Sequence, residues 1–219
     1  MNDSDMNTLI SALVEGDQTL AVEEAQKLKN SGVKIESIIT DGVETAMMQL
    51  DAKCIVEQFN LLEIMLSGRA VMSVIKMLYP VEDDMPRTKG AVVIGSMEGD
   101  VHDLGKNIVK MVLTATGYHI VDLGKDCPID RFLDAAENSE VIAVGVSGLI
   151  TTVIPQVRSI KARMSERNLS DVKIIAGGAA LKQSTKESLQ VDYIAKSVFD
   201  GLHYLESILD KKKTEETGR

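Results

Sequence analysis

A histidine between two aspartates is the pattern in this chain that points most directly to chemistry. His102 stands in GDVHDLG, residues 99–105, which follows the apolar run AVVIG. Asp100 lies two residues before His102, close enough to accept a hydrogen bond from one ring nitrogen and leave the other free as an electron-pair donor. Metal-bound imidazoles are oriented in this way, so the pattern predicts a metal ligand at His102.

The sequence offers His102 no obvious companion for binding a bare metal ion. Zinc requires three or four ligands from His, Cys, Asp and Glu, whereas His119 and His203 fall elsewhere in the pattern. A single imidazole suits a metal whose other positions are filled by a macrocycle, because the protein then supplies only an axial ligand. The sequence therefore favours a metal held in a macrocycle.

The residue pattern in the second half of the chain predicts the strands and helices that must position His102. Short Val- and Ile-rich runs alternate there with amphipathic segments, which predicts parallel strands covered on both faces and joined by helices. We therefore expect an α/β doubly wound, Rossmann-like domain with a five-stranded parallel sheet in the flavodoxin-type order 2-1-3-4-5. The predicted strands are AVVIG (91–95), YHIVDLG (118–124), VIAVGVS (141–147), VKIIAGG (172–178) and VDYIA (191–195).

An all-α helical bundle is predicted before the sheet. Apolar residues recur at helical spacing from Thr8 to about Tyr79, which indicates four or five helices in up-and-down order. The segment PVEDDMPRTKG that follows contains two prolines and almost no apolar residues, so it indicates a linker. The expected division is a helical cap domain at 1–79, a linker at 80–89 and the α/β domain at 90–219.

Three loops should meet at one edge of the predicted sheet, because ligands of open parallel sheets bind beyond the carboxyl ends of the strands. Ser147 offers a hydroxyl there, and Gly177 and Gly178 would let a flat or extended group pass without side-chain collision. Gly105 would let a bulky ligand approach the backbone, although a tight turn explains it equally well. The loops are SMEGDVHDLG (96–105), SGLITT (147–152) and GGAAL (177–181).

Composition and charge exclude several classes of partner. The formal net charge of -9 provides no basic surface for nucleic acid or an anionic membrane, and no apolar run is long enough to span a bilayer. The polar and acidic start MNDSDMNTLI is unlike a secretory signal, so a cytoplasmic location is expected. Cys54 and Cys127 are too few for a disulfide framework and are expected to be plain thiols.

Nucleotide and phosphoryl chemistry are disfavoured as well. The sequence contains neither a G-x-G-x-x-G after the first strand nor a G-x-x-x-x-G-K-[ST] motif. A phosphorylated receiver domain would share the topology, but it would carry acidic residues where this chain has Ser96 and Ser147. A large organic ligand therefore remains the better interpretation of the three loops.

Together the loops resemble the D-x-H-x-x-G, S-x-L and G-G signature of cobalamin-binding domains, in the same order and at similar separations. The helical half, including FNLLEIMLSGRAVM (59–72), resembles the cap domain of methionine synthase and of the small corrinoid proteins of methylamine and quaternary-amine methyltransferase systems. The resemblance covers nearly the whole chain. The residues that carry it at the predicted site are Asp100, Val101, His102, Asp103, Leu104, Gly105, Ser147, Leu149, Gly177 and Gly178.

The resemblance implies that cobalamin is the cofactor and that these residues bind it. His102 would be the lower axial ligand of cobalt in place of the cofactor's own dimethylbenzimidazole, and Asp100 would be its proton relay. Ser147 would contact the buried base, and Gly177 and Gly178 would line the channel for the nucleotide tail.

This chain departs from the family pattern at one residue of the proton relay. Relatives often carry Ser or Thr where this chain has Val153, so either Thr151 or Thr152 is a candidate to replace that hydroxyl.

The resemblance also implies that the helical half covers the upper face of the corrin. A methionine-rich apolar lid suits that role, although methionines also fill bundle cores. The methionines concerned are Met47, Met48, Met65, Met72 and Met77.

The implied function is that of a methyl carrier, not of an enzyme that acts alone. A substrate-specific methyltransferase would load the cofactor to methylcobalamin, a second methyltransferase would pass the methyl group onward, and a reductive activase would be a further partner. A methylated amine or a related compound is the expected donor, and tetrahydrofolate or coenzyme M the acceptor. The alternatives are a subunit of an adenosylcobalamin mutase, which the helical half disfavours, and a cobalamin sensor, which would carry an added output domain.

Overall fold

The computed structural model describes residues 2–56, 61–80 and 89–217. Within these ranges the chain forms two compact units: the helical unit, which contains the helices before Pro80, and the sheet unit, which contains the strands. The linker predicted at 80–89 lies outside the described residues except at its ends, so its bounds stay a prediction.

The helical unit begins with two helices separated by a sharp turn. Gly16 in this turn has a φ of +75°, and a Cβ there would lie 2.5 Å from Leu66 Cβ, so both conformation and packing require glycine. Asp17 caps the next helix by accepting a hydrogen bond from the Leu20 N–H at 3.0 Å. The described α-helices of this unit are α1 (Asn2–Glu15), α2 (Gln18–Asn30), α3 (Ile35–Ser37), α4 (Thr45–Val56) and α5 (Leu61–Leu78).

A π-helical segment, Ile38–Glu44, connects α3 to α4. The apolar spacing predicts ordinary helix in this region, so the wider turn differs from expectation. Gly42 in the segment packs closely on α1, because an added Cβ would come within 3.1 Å of the Leu9 and Met6 side chains. The wide turn therefore packs directly on α1.

The described strands form one parallel sheet with the order β2-β1-β3-β4-β5, which confirms the predicted topology. All six residues of the first strand are buried, as expected for a strand covered on both faces. The strands are β1 (Ala91–Ser96), β2 (His119–Asp122), β3 (Val141–Ser147), β4 (Lys173–Gly177) and β5 (Tyr193–Ile194).

The last strand, β5, is shorter than the sequence predicts. Asp192 precedes it and accepts a hydrogen bond from the Ile174 N–H through its carboxylate, at 2.8 Å. The Asp192 N–H in turn donates to the Ile174 carbonyl at 3.0 Å. A side chain thus replaces a main-chain acceptor beside β4, and the regular ladder begins only at Tyr193.

Helices pack on the sheet through a buried apolar cluster that strand and helix residues share. Phe132 and Leu133 share a buried cluster with Val93 of β1 and Val144 of β3, and Val157 belongs to the same cluster. Full burial of one such side chain stabilises the fold by about 1.5–3 kcal/mol. The helices of the sheet unit are α6 (Leu104–Ala115), α7 (Ile129–Ala136), α8 (Ile154–Glu166), α9 (Lys186–Leu189) and α10 (Val198–Thr217), with short 3₁₀ turns at Thr151–Val153 and Leu181–Gln183.

Nowhere in the described ranges is a helix both long and apolar enough to cross a membrane.

Candidate functional site

The three predicted loops lie side by side at the carboxyl edge of the sheet. Ser96 at the end of β1 is in register with Ser147 of β3, and Ser147 is in register with Gly177 of β4. Just past the strand ends, the Met97 N–H donates to the Ser147 carbonyl at 3.1 Å, and the Gly148 N–H donates to the Gly177 carbonyl at 2.9 Å. The sheet thus joins loops that are far apart in the sequence.

His102 and Asp100 form the hydrogen bond that their spacing predicts. His102 Nδ1 lies 2.8 Å from Asp100 Oδ1. The Asp100 side chain is fully buried, whereas 54% of the His102 side chain is exposed. Because Nδ1 is engaged by the carboxylate, Nε2 is the nitrogen available to an incoming metal.

Main-chain N–H groups hold the Asp100 carboxylate from two loops. The Leu149 N–H donates to Oδ2, and the His102 N–H donates to Oδ1 at 3.0 Å. Burial by itself would raise the pKa of Asp100, but these hydrogen bonds, with further ones from the His102 ring and the Ile150 N–H, hold the pKa below its usual range. Asp100 is therefore an anion at neutral pH, and it links the loop after β1 to the loop after β3.

The hydroxyl predicted to extend the relay does not reach Asp100. Thr151 and Thr152 are exposed in the short 3₁₀ turn, and neither makes a hydrogen bond to Asp100 among the described contacts. Val153 is fully buried and packs on Gly148, whose Cβ position lies 2.6 Å from Val153 Cγ2. The main-chain donors of the loop after β3 occupy the carboxylate instead.

Two of the predicted glycines border open space. A Cβ at Gly105 or Gly177 would meet no heavy atom within 4 Å, and neither residue has the left-handed φ that favours glycine. Gly178 is different, because its φ is +101° and a Cβ there would lie 2.4 Å from the Gly148 carbonyl oxygen. The fold itself therefore explains Gly178, whereas Gly105 and Gly177 leave room for a group that is not part of the chain.

Large apolar side chains are exposed next to His102. Val101 is 60% exposed, Leu104 46% and Leu149 44%. We call these three residues the apolar rim. An exposed apolar cluster around a half-exposed imidazole suits a large flat ligand that covers the cluster while the imidazole binds its metal. Asp103 precedes α6, and its carbonyl accepts a hydrogen bond from the Asn107 N–H in the first turn of that helix.

Comparison with known families identifies the sheet unit. The family profile described as "B12 binding domain" matches residues 90–201, more than half of the chain. The chain belongs to the B12-binding family. The match spans the three loops at the carboxyl edge, so the predicted cofactor, cobalamin, agrees with the family.

This B12-binding protein is similar along most of its length to corrinoid proteins. It is 30% identical to the dimethylamine corrinoid protein 3 of Methanosarcina acetivorans, over 86% of this chain and 89% of that protein. It is also 30% identical to the trimethylamine corrinoid protein of Methanosarcina barkeri, over 91% of this chain and 94% of that protein. A corrinoid protein of Desulfitobacterium hafniense is 27% identical over 94% and 98% of the two chains.

A solved structure supports the same assignment. The methanol:cobalamin methyltransferase complex MtaBC from Methanosarcina barkeri aligns with a TM-score of 0.82 at 27% identity, covering 95% of this chain and 80% of that one. The predicted family, the corrinoid proteins of cobalamin-dependent methyltransferase systems, and the predicted fold class are therefore confirmed.

Ser96 is a buried residue of the candidate site that the sequence motifs do not indicate. The Ser96 side chain is fully buried at the end of β1, and its Oγ donates to the His102 carbonyl at 2.8 Å. Its position at the end of the first predicted strand is the signal in the sequence for such a role. Ser96 fixes the main chain of His102, whereas Asp100 fixes its ring.

The methionines of the helical unit are not equivalent. Met47 is buried in the core of the unit, whereas Met48 is 73% exposed. The side chains of Met65, Met72 and Met77 are half-buried. Their role as a lid over the corrin stays a prediction.

Among the described residues no group of three or more His, Cys, Asp or Glu side chains is placed to hold a metal ion. The single-imidazole arrangement predicted for His102 thus has no competing cluster within that part of the chain.

Proposed function

We propose that this B12-binding protein is a methyl carrier in which His102 is the axial ligand of cobalt. The observation that carries the proposal is the pair of His102 and Asp100, in which a half-exposed imidazole is held through Nδ1 by a buried carboxylate. Cobalamin, when bound, supplies the metal centre that accepts and releases the methyl group. The chain supplies the ligand, its orientation and the surroundings of the cofactor.

Each part of the site has a defined task in this proposal. Asp100 keeps the proton on Nδ1 of His102, so that the Nε2 lone pair points away from the carboxylate. The apolar rim excludes water from the underside of the macrocycle, since its three side chains already lie exposed beside His102. Gly177 would leave room for the nucleotide tail, and the hydroxyl of Ser147, in register with Gly177, would contact the base. Gly105 leaves room close to the start of α6.

The partners are proposed from the relatives. The related corrinoid proteins are named for dimethylamine and trimethylamine, and the aligned complex joins a methanol methyltransferase to its cobalamin protein. We therefore propose that a substrate-specific methyltransferase loads this chain, that a second methyltransferase unloads it, and that a reductive activase restores the reduced cofactor. A methylated amine is the proposed donor, and the cytoplasm stays the predicted location.

Cobalamin titration tests the ligand assignment. The apo-protein should bind cobalamin in a ratio of about one to one, because a single imidazole is offered to a single metal centre. Electron paramagnetic resonance of the reduced cob(II)alamin form, with ¹⁵N-histidine in the protein, should show the nitrogen splitting of a protein-derived ligand. His102→Ala should remove that splitting and keep part of the binding through the glycine and Ser147 contacts.

His119→Ala is the matched control, because His119 lies at the start of β2 and at the opposite edge of the sheet. It should keep the wild-type splitting. An unchanged spectrum in His102→Ala would mean that another residue binds cobalt, and no binding at micromolar concentration would reject the cofactor assignment itself. Methyl transfer assays with trimethylamine, dimethylamine and methanol systems would then separate the possible donors.

A further inference from the structure

The loop that follows β2 binds the segment immediately before His102. The Asp126 N–H donates to the Asp100 carbonyl at 3.0 Å, and Asp126 Oδ1 accepts a hydrogen bond from the Gly99 N–H at 2.7 Å. The neighbouring Cys127 N–H donates to the Ser96 carbonyl at 2.9 Å. Asp126 thus makes two hydrogen bonds to the segment between β1 and His102, and Cys127 makes one to the last residue of β1.

Side-chain packing does not hold this segment at Gly99. Gly99 has a φ of +88°, and a Cβ there would meet no heavy atom within 4 Å. Its placement therefore depends on hydrogen bonds, of which that to Asp126 is a short, charge-assisted one. The residue that follows is Asp100, whose buried carboxylate must meet the His102 ring.

Asp126 makes these bonds from a backbone conformation that most residues avoid. Its φ is +54°, in the left-handed region, which Asp tolerates better than most other residues. In this conformation both the N–H and the carboxylate of Asp126 contact consecutive residues of the neighbouring loop. Such strained residues persist where the surrounding structure requires them, and they are frequent at functional sites.

We propose that Asp126 is a positioning residue for the cobalt ligand. It fixes the main chain of Gly99 and Asp100, and Asp100 in turn orients His102. The inference rests on the proposed role of His102 and adds a loop from a different strand to the site. Asp126 itself does not contact the reacting atoms.

Three variants separate the carboxylate of Asp126 from its backbone conformation. Asp126→Asn keeps a side-chain oxygen and tolerates the left-handed φ, whereas Asp126→Gly keeps the φ and removes the acceptor. Asn168→Gly is the matched control, because Asn168 has a φ of +61° beyond the end of α8. Asp126→Ser, with a side chain too short to reach Gly99, is the second acceptor-deficient variant if Asp126→Gly does not fold.

The first measurement needs no cofactor. In the apo-protein, amide hydrogen exchange at Gly99 should accelerate about tenfold in Asp126→Gly, as expected for the loss of one charge-assisted hydrogen bond. Asp126→Asn, which keeps a neutral acceptor, should accelerate the exchange by less than Asp126→Gly does. Asn168→Gly should exchange like the wild type. Wild-type protection of Gly99 in Asp126→Gly would overturn the proposal.

The second measurement uses the cobalamin-loaded protein. Asp126→Gly should lower the strength of histidine ligation by about tenfold, as is typical when support of a metal-bound histidine is removed. The nitrogen splitting of cob(II)alamin reports this ligation, and the affinity for the corrin should change much less. The role of Asp126 would be structural only if Asp126→Asn weakened histidine ligation as much as Asp126→Gly does. The same conclusion would follow if the weaker ligation were accompanied by a matching fall in thermal stability.

The two measurements distinguish the possible failures. If His102→Ala keeps the wild-type nitrogen splitting, the ligand assignment of the proposed function fails, whereas the exchange at Gly99 still reports whether Asp126 fixes the loop. If His102 is the ligand and Gly99 is unaffected by Asp126→Gly, the proposed function stands and the positioning role is wrong.

Discussion

At the scale of single residues, the site depends on main-chain groups as much as on side chains. The spacing of Asp100 and His102 predicted their pairing, because two residues in one turn are near each other in almost any fold. The donors from Leu149 and Ile150 could not be predicted, since nearly every residue carries the same N–H and only the sheet brings that loop to Asp100. Val153 stands where relatives often carry Ser or Thr. The sequence could not reveal that main-chain N–H groups, in place of that hydroxyl, donate to Asp100.

Gly177, the last residue of β4, and Gly178, which follows the strand, should respond oppositely to substitution by alanine. Gly177→Ala should leave the apo-protein as stable as the wild type or stabilise it by up to about 1 kcal/mol, because the new methyl meets open space and the unfolded chain loses freedom. Cobalamin affinity should fall about tenfold or more, because the methyl fills room reserved for the ligand. Urea unfolding and cobalamin titration measure the two effects.

Gly178→Ala is the companion variant. It should destabilise the apo-protein by about 1–3 kcal/mol, because its φ of +101° and the Gly148 carbonyl both oppose a side chain. If Gly177→Ala bound cobalamin as tightly as the wild type, the open space beside Gly177 would not belong to the cofactor site.

At the scale of elements, the strand order and the three loops followed from the sequence, because buried parallel strands leave continuous Val and Ile runs and turn residues between them. The shortness of β5 and the π-helical segment could not be predicted from the sequence. The first depends on where the Asp192 carboxylate falls relative to Ile174. The second is a local widening in a helical region whose apolar spacing does not reveal it.

One ion pair joins α6, the helix that follows the His102 loop, to the end of β2. The side chain of Lys106, in the first turn of α6, is buried, and its Nζ lies 2.7 Å from Asp122 Oδ1 at the end of β2. Lys110 Nζ lies 3.3 Å from Oδ2, and the Gly124 N–H donates to Oδ1 at 3.0 Å. Burial would raise the pKa of Asp122, but the hydrogen bonds from Lys106 and Gly124 outweigh it and hold the pKa below its usual range.

Asp122 should therefore stabilise the sheet unit in a pH-dependent way. A carboxyl with a lowered pKa contributes its stability above the pKa of the unfolded chain, about 4, and loses it as the pH falls through the lower value of the folded state. Asp122→Asn should cost about 1.5–3 kcal/mol at pH 7, the usual range for hydrogen bonds to charged groups. The difference from the wild type should shrink as the pH is lowered below about 4.

Urea unfolding at pH 7 and in the acid range measures this difference. Glu187→Gln, at an exposed site on α9, is the control and should differ from the wild type by less than about 0.5 kcal/mol at either pH. A cost of Asp122→Asn that stayed constant across the range would show that its charge is not the source of stability.

At the scale of the whole molecule, the change from helical to strand periodicity near residue 80 correctly predicted two kinds of architecture in one chain. The family resemblance implies that the helical unit covers the corrin, and a methyltransferase would then reach the cofactor only after that unit moves away. Conformational steps of this kind commonly control access to a reactive centre. The linker predicted at 80–89 is the natural place for such a step.

Shortening that linker should separate binding from transfer. A chain that lacks half of residues 81–88 should bind cobalamin like the wild type, because the site lies within the sheet unit. Its rate of methyl transfer from a partner methyltransferase should fall about tenfold or more, because the partner's approach is restricted. A Gly/Ser replacement of the same length should keep the rate, and wild-type transfer by the shortened chain would argue against a hinge.

The apolar rim also affects the fate of newly made protein. Before the cofactor binds, the apolar side chains of Val101, Leu104 and Leu149 are exposed to water, and exposed apolar surface promotes self-association. Cobalamin would cover that surface and, by binding only the folded chain, raise the folded fraction. When cobalamin is scarce, the copies without cofactor would be the ones that aggregate or are degraded by proteases. The amount of this protein would then follow the supply of its cofactor without any dedicated regulator.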